Sequence, residues 1–243
     1  SEDPSPTPTA TVPVTETTSP TPSTVDTTNP GAIMTVALYL LRGETLGVAH
    51  RAVPATEAPA TAAIDTLLEG PDKREKAAGL GTAIPAGTRL NGIVIEDGTA
   101  RIDLSEEFAS GGGSLSMQAR VAQVVYTLTQ FRTVKRVDFF IDGAPVEKLG
   151  GKGLTLDAGQ RRADWRDCLP AILVESPAVG DTVRSPVRVT GSAMVFEATF
   201  QAELLGPDGE VVAGETVTAT RGAPQRGTFT VEIAFDAPSP PRG

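Results

Sequence analysis

Residues 95–108 read Ile95-Glu-Asp-Gly-Thr-Ala-Arg-Ile-Asp-Leu-Ser-Glu-Glu-Phe108, which sets five carboxylates close together in a chain with one histidine and one cysteine. A pair of carboxylates can divide into a general acid and a general base, so the stretch is either the heart of a hydrolase or a piece of sheet. Its pattern favours sheet. Asp97-Gly98 separates two β-favourable runs, residues 89–95 and 99–104, and matches a tight type I′ turn. In the second run Ala100, Ile102 and Leu104 alternate with Thr99, Arg101 and Asp103, which places Arg101 and Asp103 on the polar face. Ser105 is then a candidate N-cap, with Glu106 and Glu107 where a helix start favours negative charge. The competing reading, a hydrolase using Glu96, Asp103 or Glu106, needs a hydrophobic pocket to raise one carboxyl pKa, and turn positions rarely supply one.

Upstream, residues 34–41 and 46–53 are apolar, β-favourable runs on either side of Arg42-Gly43 and predict a hairpin. Pro54 ends it. Residues 58–69 then repeat Ala60, Ala63, Ile64, Leu67 and Leu68 at helical spacing and stop at Gly70-Pro71, with a short helical turn over residues 71–78. Downstream, Met117, Val121, Val124, Leu128 and Phe131 draw one apolar stripe along a helix over 115–131, followed by a strand at 136–141 and a turn at Asp142-Gly143 into 144–146. This order predicts an α+β domain over residues 33–149, a sheet with two helices on one face. Residues 150–171 lose the periodicity and read as a linker or docking segment anchored by Trp165. Short strands at 172–174, 187–190, 198–205, 211–220 and 227–235 predict an all-β, immunoglobulin-like sandwich over 172–243. Residues 1–32 are nearly all Thr, Pro, Ser and Ala with scattered acids, a composition that cannot offset chain entropy and reads as a disordered stalk.

Composition narrows the chemistry further. Of 243 residues 40% are hydrophobic, enough for real cores, but only 5% are aromatic. The net charge of -9 and the absence of a basic run exclude nucleic acid as the expected partner. One cysteine, Cys168, permits neither a disulfide framework nor a thiolate metal site. A Ser-His-Asp triad would have to be built on His50, in a strand where a lone histidine is ordinarily a packed or surface residue, and a Cys168–His50 dyad is weaker still. Asp65, Asp72 and the acids of residues 157–167 do not match a calcium loop. Gly111-Gly-Gly113 precedes a helix without the lysine that would complete a phosphate loop. The reading is therefore no catalytic, cofactor-binding or metal-binding residue. No apolar run is long enough to span a bilayer, and the first residue is Ser1 and not Met, read here as the mark of a removed export segment.

Several blocks occur in an order that resembles the GerMN domain of spore-germination and sporulation lipoproteins. They are Arg51-Ala-Val-Pro54, Leu67-Leu-Glu-Gly-Pro71, Thr82-Ala-Ile-Pro-Ala-Gly-Thr88, Ala100-Arg-Ile-Asp-Leu-Ser105, Gln123-Val-Val-Tyr-Thr-Leu-Thr129 and Ile141-Asp-Gly-Ala-Pro-Val146. The resemblance covers residues 34–148. Ser176-Pro-Ala-Val-Gly180, Ser185-Pro-Val-Arg-Val-Thr-Gly191 and Phe196-Glu-Ala198 resemble the immunoglobulin-like Gmad2 domain that often follows GerMN, with the final strand expected to be missing. What the resemblance implies is a noncatalytic, extracytoplasmic lipoprotein on the outer face of the cytoplasmic membrane. It would bind or scaffold envelope proteins or peptidoglycan and be held to the membrane by a lipid anchor not present in this chain. A wall-glycan binding module is the third reading, with Tyr39, Tyr126 and Trp165 as the stacking candidates.

Overall fold

The computed structural model describes residues 31–150, 153–206 and 208–236. The stalk expected over residues 1–32 lies outside them up to residue 30, and so does the segment past residue 236. The chain forms an α+β domain followed by an immunoglobulin-like sandwich. β1 (Ile33–Arg42) and β2 (Thr45–Pro54) make a ten-residue antiparallel hairpin, then come α1 (Pro59–Leu68), the short α2 (Lys73–Ala77) and β3 (Leu80–Gly81). β4 (Leu90–Glu96) and β5 (Thr99–Leu104) form the hairpin read from residues 95–108, and Asp97 and Gly98 both adopt positive φ (49° and 77°), as a type I′ turn demands. A 3-10 turn, Glu106–Ala109, leads to α3 (Ser114–Leu128), which returns the chain to β6 (Arg136–Ile141), parallel to β5. β7 (Ala144–Pro145), β8 (Lys148–Leu149) and β9 (Leu154–Thr155) finish the domain.

The strands divide between two main sheets, β2-β1-β3 and β4-β5-β6-β7, with β8-β9 as a separate two-stranded ribbon, where the sequence suggests one sheet. The reason lies on α3. Its expected single apolar stripe is there, but every residue from Met117 to Leu128 except Gln118 is buried, and the helix stops before Phe131. A helix covered all round has neighbours on several sides. Along one of them Gln123 and Thr127, together with Gln130 in the turn just past the helix, serve the edge of β1 as a strand would. Gln130 Oε1 accepts from Ala37 N (2.9 Å) and its Nε2 donates to Ala37 O (2.8 Å). Thr127 Oγ1 accepts from Tyr39 N (3.2 Å), and Gln123 Nε2 donates to Tyr39 O (3.1 Å). The helix thus satisfies backbone groups beyond the reach of β3, which pairs only with Leu41 and Arg42.

Two arginines complete the domain. Arg51 on β2 forks onto Glu75, which is 2% exposed, and donates to Thr66 O and Gly70 O at the C-terminal end of α1. Gly70 at φ +75° ends that helix, and Asp72 and Glu75 form a reciprocal capping box for α2. Arg120, 2% exposed, has no carboxylate partner among the described residues and spends its donors on the carbonyls of Ala83, Phe108, Ser110 and Gly111. It pins the glycine loop before α3 from inside. Burial pulls its pKa below the ordinary arginine value.

After a 3-10 helix, Arg162–Cys168, the sandwich begins. One sheet is β10 (Ile172–Ser176), β11 (Val187–Ala193) and β14 (Gly227–Ile233), in the order β10-β11-β14; the other is β12 (Thr199–Leu205) and β13 (Val211–Thr218). Its buried cluster is small: Ala193, Val217, Ala219 and Phe229, with Phe200 edge-on to Phe229 at 5.0 Å.

Candidate functional site

The carboxylates of residues 95–108 do not meet. Glu96 and Asp97 lie at the turn end of the β4–β5 hairpin and the other three at its far end, about six residues or ~20 Å of strand away. Glu96 is exposed, 3.7 Å from Arg101. Asp103 Oδ1 accepts from Gly143 N (3.1 Å), so it fixes the turn between β6 and β7. Glu106 is exposed. Ser105 sits at the N-cap position, but its hydroxyl donates to the Glu107 carboxylate and accepts from Arg89 N, so it does not cap the helical turn as expected. That hydroxyl holds the Glu107 carboxyl below the usual range. A cavity of about 480 Å³ opens elsewhere, beside β6 and β7. Of its acids, Asp138 is engaged by Gly159 N at 2.5 Å.

The residues weighed for other chemistry gather at the seam between the domains. Tyr39 from β1 and Tyr126 from α3 are 3% exposed and flank the guanidinium of Arg162, which lies 5.0 Å and 4.8 Å from their ring centroids. Arg162 Nε donates to Thr129 Oγ1 (2.8 Å), and its two terminal nitrogens reach Glu175 Oε1 (3.2 Å), Tyr39 Oη (3.1 Å) and Tyr126 O (3.1 Å). Tyr39 Oη donates to Glu175 Oε1 (2.6 Å). One arginine thereby ties β1, α3 and β10 together. Burial is the leading cause that raises both phenols, Tyr126 to about 12 and Tyr39 beyond the range in which a tyrosine ordinarily titrates. Trp165, 8% exposed, donates from Nε1 to Gln160 Oε1 at 2.9 Å. All three aromatic candidates are packing residues, so none offers a sugar a stacking face.

A second contact makes the seam continuous. The loop after β10 lays Val179 beside Ala49 of β2, with His50 N donating to Val179 O (2.9 Å) and Val179 N facing Val48 O (3.4 Å). His50 Nδ1 lies 2.8 Å from Asp181 Oδ2, and Asp181 also accepts from Ala178 N. Gly180, at φ +104°, lets the backbones touch: a Cβ there would sit 2.5 Å from His50 O. Leu173 of β10 joins the core of the first domain. Cys168 is half-buried next to this seam, where burial first and Asp167 second push its thiol up, away from the reactive thiolate. Sequence reasoning found Tyr39, Tyr126, Trp165 and His50 as residue types but missed Arg162, Glu175 and Asp181. The reading of residues 150–171 as a linker or docking segment and the Ser176-Pro-Ala-Val-Gly180 block marked this surface, but neither carried a hint of its partner.

Among the described residues no group of His, Cys, Asp or Glu is arranged to hold a metal ion. No helix among them is long and apolar enough to cross a membrane. Comparison with known proteins supplies the rest. Residues 37–147 match the Germane family, described as sporulation and spore germination, and residues 171–243 match Gmad2, the immunoglobulin-like domain of bacterial spore germination. The spore germination protein GerM of Bacillus subtilis is 30% identical over 139 residues, which are 56% of this chain and 36% of GerM, so the chain spans about a third of that relative. Among solved structures, the first GerMN domain of B. subtilis GerM is 27% identical with a TM-score of 0.45, covering 54% of this chain and 99% of that one. The tandem GerMN domains of the same protein give 21% and 0.48 over 84% and 62% of the two chains. A putative lipoprotein of Clostridium perfringens gives 20% and 0.41 over 57% and 93%.

Proposed function

From a chain that carries a Germane domain followed by a Gmad2 domain, we propose a noncatalytic, extracytoplasmic protein of the bacterial cell envelope that binds or scaffolds other envelope components. The observation that carries this reading is the state of the sheet edges. β4 is the outer strand of its sheet, no backbone hydrogen bond among the described residues reaches its free side, and Val94 and Ile95 on it are 53% and 37% exposed. An unpaired edge with exposed β-branched side chains is built to add a strand from another chain, and soluble proteins otherwise guard against it. The carboxylates that an enzyme would use are instead spread over turns and a solvent face. Peptidoglycan and envelope proteins are the candidate partners, and the Ser/Thr/Pro-rich composition of residues 1–32 suits a domain held away from a membrane or wall.

The test is capture from solubilised envelope, run beside sedimentation with purified peptidoglycan. The expected outcome is retention of defined proteins that Val94→Lys weakens, without release of soluble wall fragments. Fragment release that stops with Glu106→Gln or Asp103→Asn would replace this reading with a wall-modifying enzyme.

A further inference from the structure

The sandwich is closed on one side and open on the other. β13 lies against β14, but among the described residues β12 is hydrogen-bonded only to β13, and no backbone hydrogen bond reaches its outer edge. Between that edge and the β10-β11-β14 sheet runs an apolar groove of about 320 Å³. Phe200, Ala202 and Leu204 of β12 form one wall, and Val174 and Val189 stand on the other. The alternation along β12 is clean: those three are half-buried, while Thr199, Gln201 and Glu203 are exposed. Of the devices that spoil an edge, β12 lacks Pro, a basic residue and an inward-pointing charge, and its one irregularity is a register shift at its end, between Leu204 and Leu205. Charge also leans one way, because residues 199–218 carry Glu203, Asp208, Glu210 and Glu215 and no Lys or Arg.

We infer that this groove receives a β-strand from a partner protein, an extended segment about as long as the seven residues of β12, with apolar side chains at alternate positions and Lys or Arg between them. Backbone pairing with β12 supplies affinity, the inward side chains fill the groove against Phe229, and the outward cations face Glu203. The inference deepens the binding reading above and rests on it. It names a site on the second domain that is independent of the β4 edge.

The test uses the full chain and a synthetic heptapeptide probe in which Lys and Val alternate. Controls are a block peptide of the same composition and the alternating peptide N-methylated at its Val residues. The expected result is that the alternating peptide binds at least about tenfold more tightly than either control. Ala202→Trp, which fills the groove, should abolish binding, and Glu203→Lys, an exposed change that leaves packing alone, should weaken it about tenfold or more. Val94→Lys should leave peptide binding unchanged, so envelope capture through β4 and strand binding through β12 can fail separately. Equal binding of the alternating and block peptides, or none by any, overturns the inference. So do two other outcomes: binding that appears only after residues 237–243 are deleted, which makes the chain's own end the occupant, and concentration-dependent dimers lost in Ala202→Trp, which make it a second copy.

Discussion

The α+β domain surrounds α3 with two sheets and a second helix and buries Leu38, Ile64, Ile102, Val124 and Leu128 completely, whereas the sandwich closes over Ala193, Val217, Ala219 and Phe229 and leaves a groove open beside them. The first domain also resolves most of its buried polar groups internally, Arg51 with Glu75, Arg120 with four carbonyls, and Gln123 with β1 and the loop at Ala83, and turns outward with the Tyr39 hydroxyl on Glu175. The second domain instead lends Leu173 and Val179 to its neighbour and takes stability from the seam. A domain with so few buried side chains is held in shape by what it leans on, and its unused surface is free for a partner.

The comparison breaks most sharply at Arg51. Replacing it by Met leaves the Glu75 carboxylate buried without its guanidinium and should cost about 3–5 kcal/mol in urea unfolding of the first domain. A loss under about 1 kcal/mol would mean that water relieves Glu75 and that the first core is less self-contained than its geometry implies. Phe229→Ala should cost about 3 kcal/mol and separate the melt into two transitions, with the sandwich first; one unshifted transition would show the thin core to be backed by something else. The third test sharpens the role of the seam. A raised phenol pKa stabilises the fold fully below the unfolded value near 10, and that stability is lost as pH rises through the folded value. The chain has two tyrosines, both in the seam, so phenolate absorbance between pH 10 and about 12 should rise together with domain separation in small-angle scattering while far-ultraviolet circular dichroism persists. The smallest effect is expected from Gly180→Ala, about 1 kcal/mol from backbone strain with further loss from its contact on His50, read as greater domain separation at neutral pH.

Local pattern carried most of the element reading. Asp97-Gly98, the alternation Ala100, Ile102, Leu104 and the Gly70-Pro71 stop each encode a decision made within a few residues, and each element forms where they place it. The division into two sheets was not legible, because it depends on Gln123, Thr127 and Gln130 facing a strand that lies about ninety residues away in the chain. Polar residues on a helix ordinarily mark the solvent side, and nothing local says that these are buried. The seam was hidden for the same reason. Arg162 in a charged, glycine-bearing segment looks like any exposed arginine until Tyr39, Tyr126 and Glu175 are brought around it. The carboxylates misled in the other direction, since closeness in sequence along a strand is not convergence in space.

The helix that serves the edge of β1 leaves a kinetic signature. The amide protons of Ala37 and Tyr39 are held by Gln130, just past the end of α3, and by Thr127 in its last turn, so they can trade with deuterium only when the end of the helix swings away from the strand. Their neighbours Val36, Leu38 and Leu40 belong to the ladder with β2. Exchange alternating in rate along this single strand would therefore time two separate openings, helix from strand and strand from strand, inside one domain.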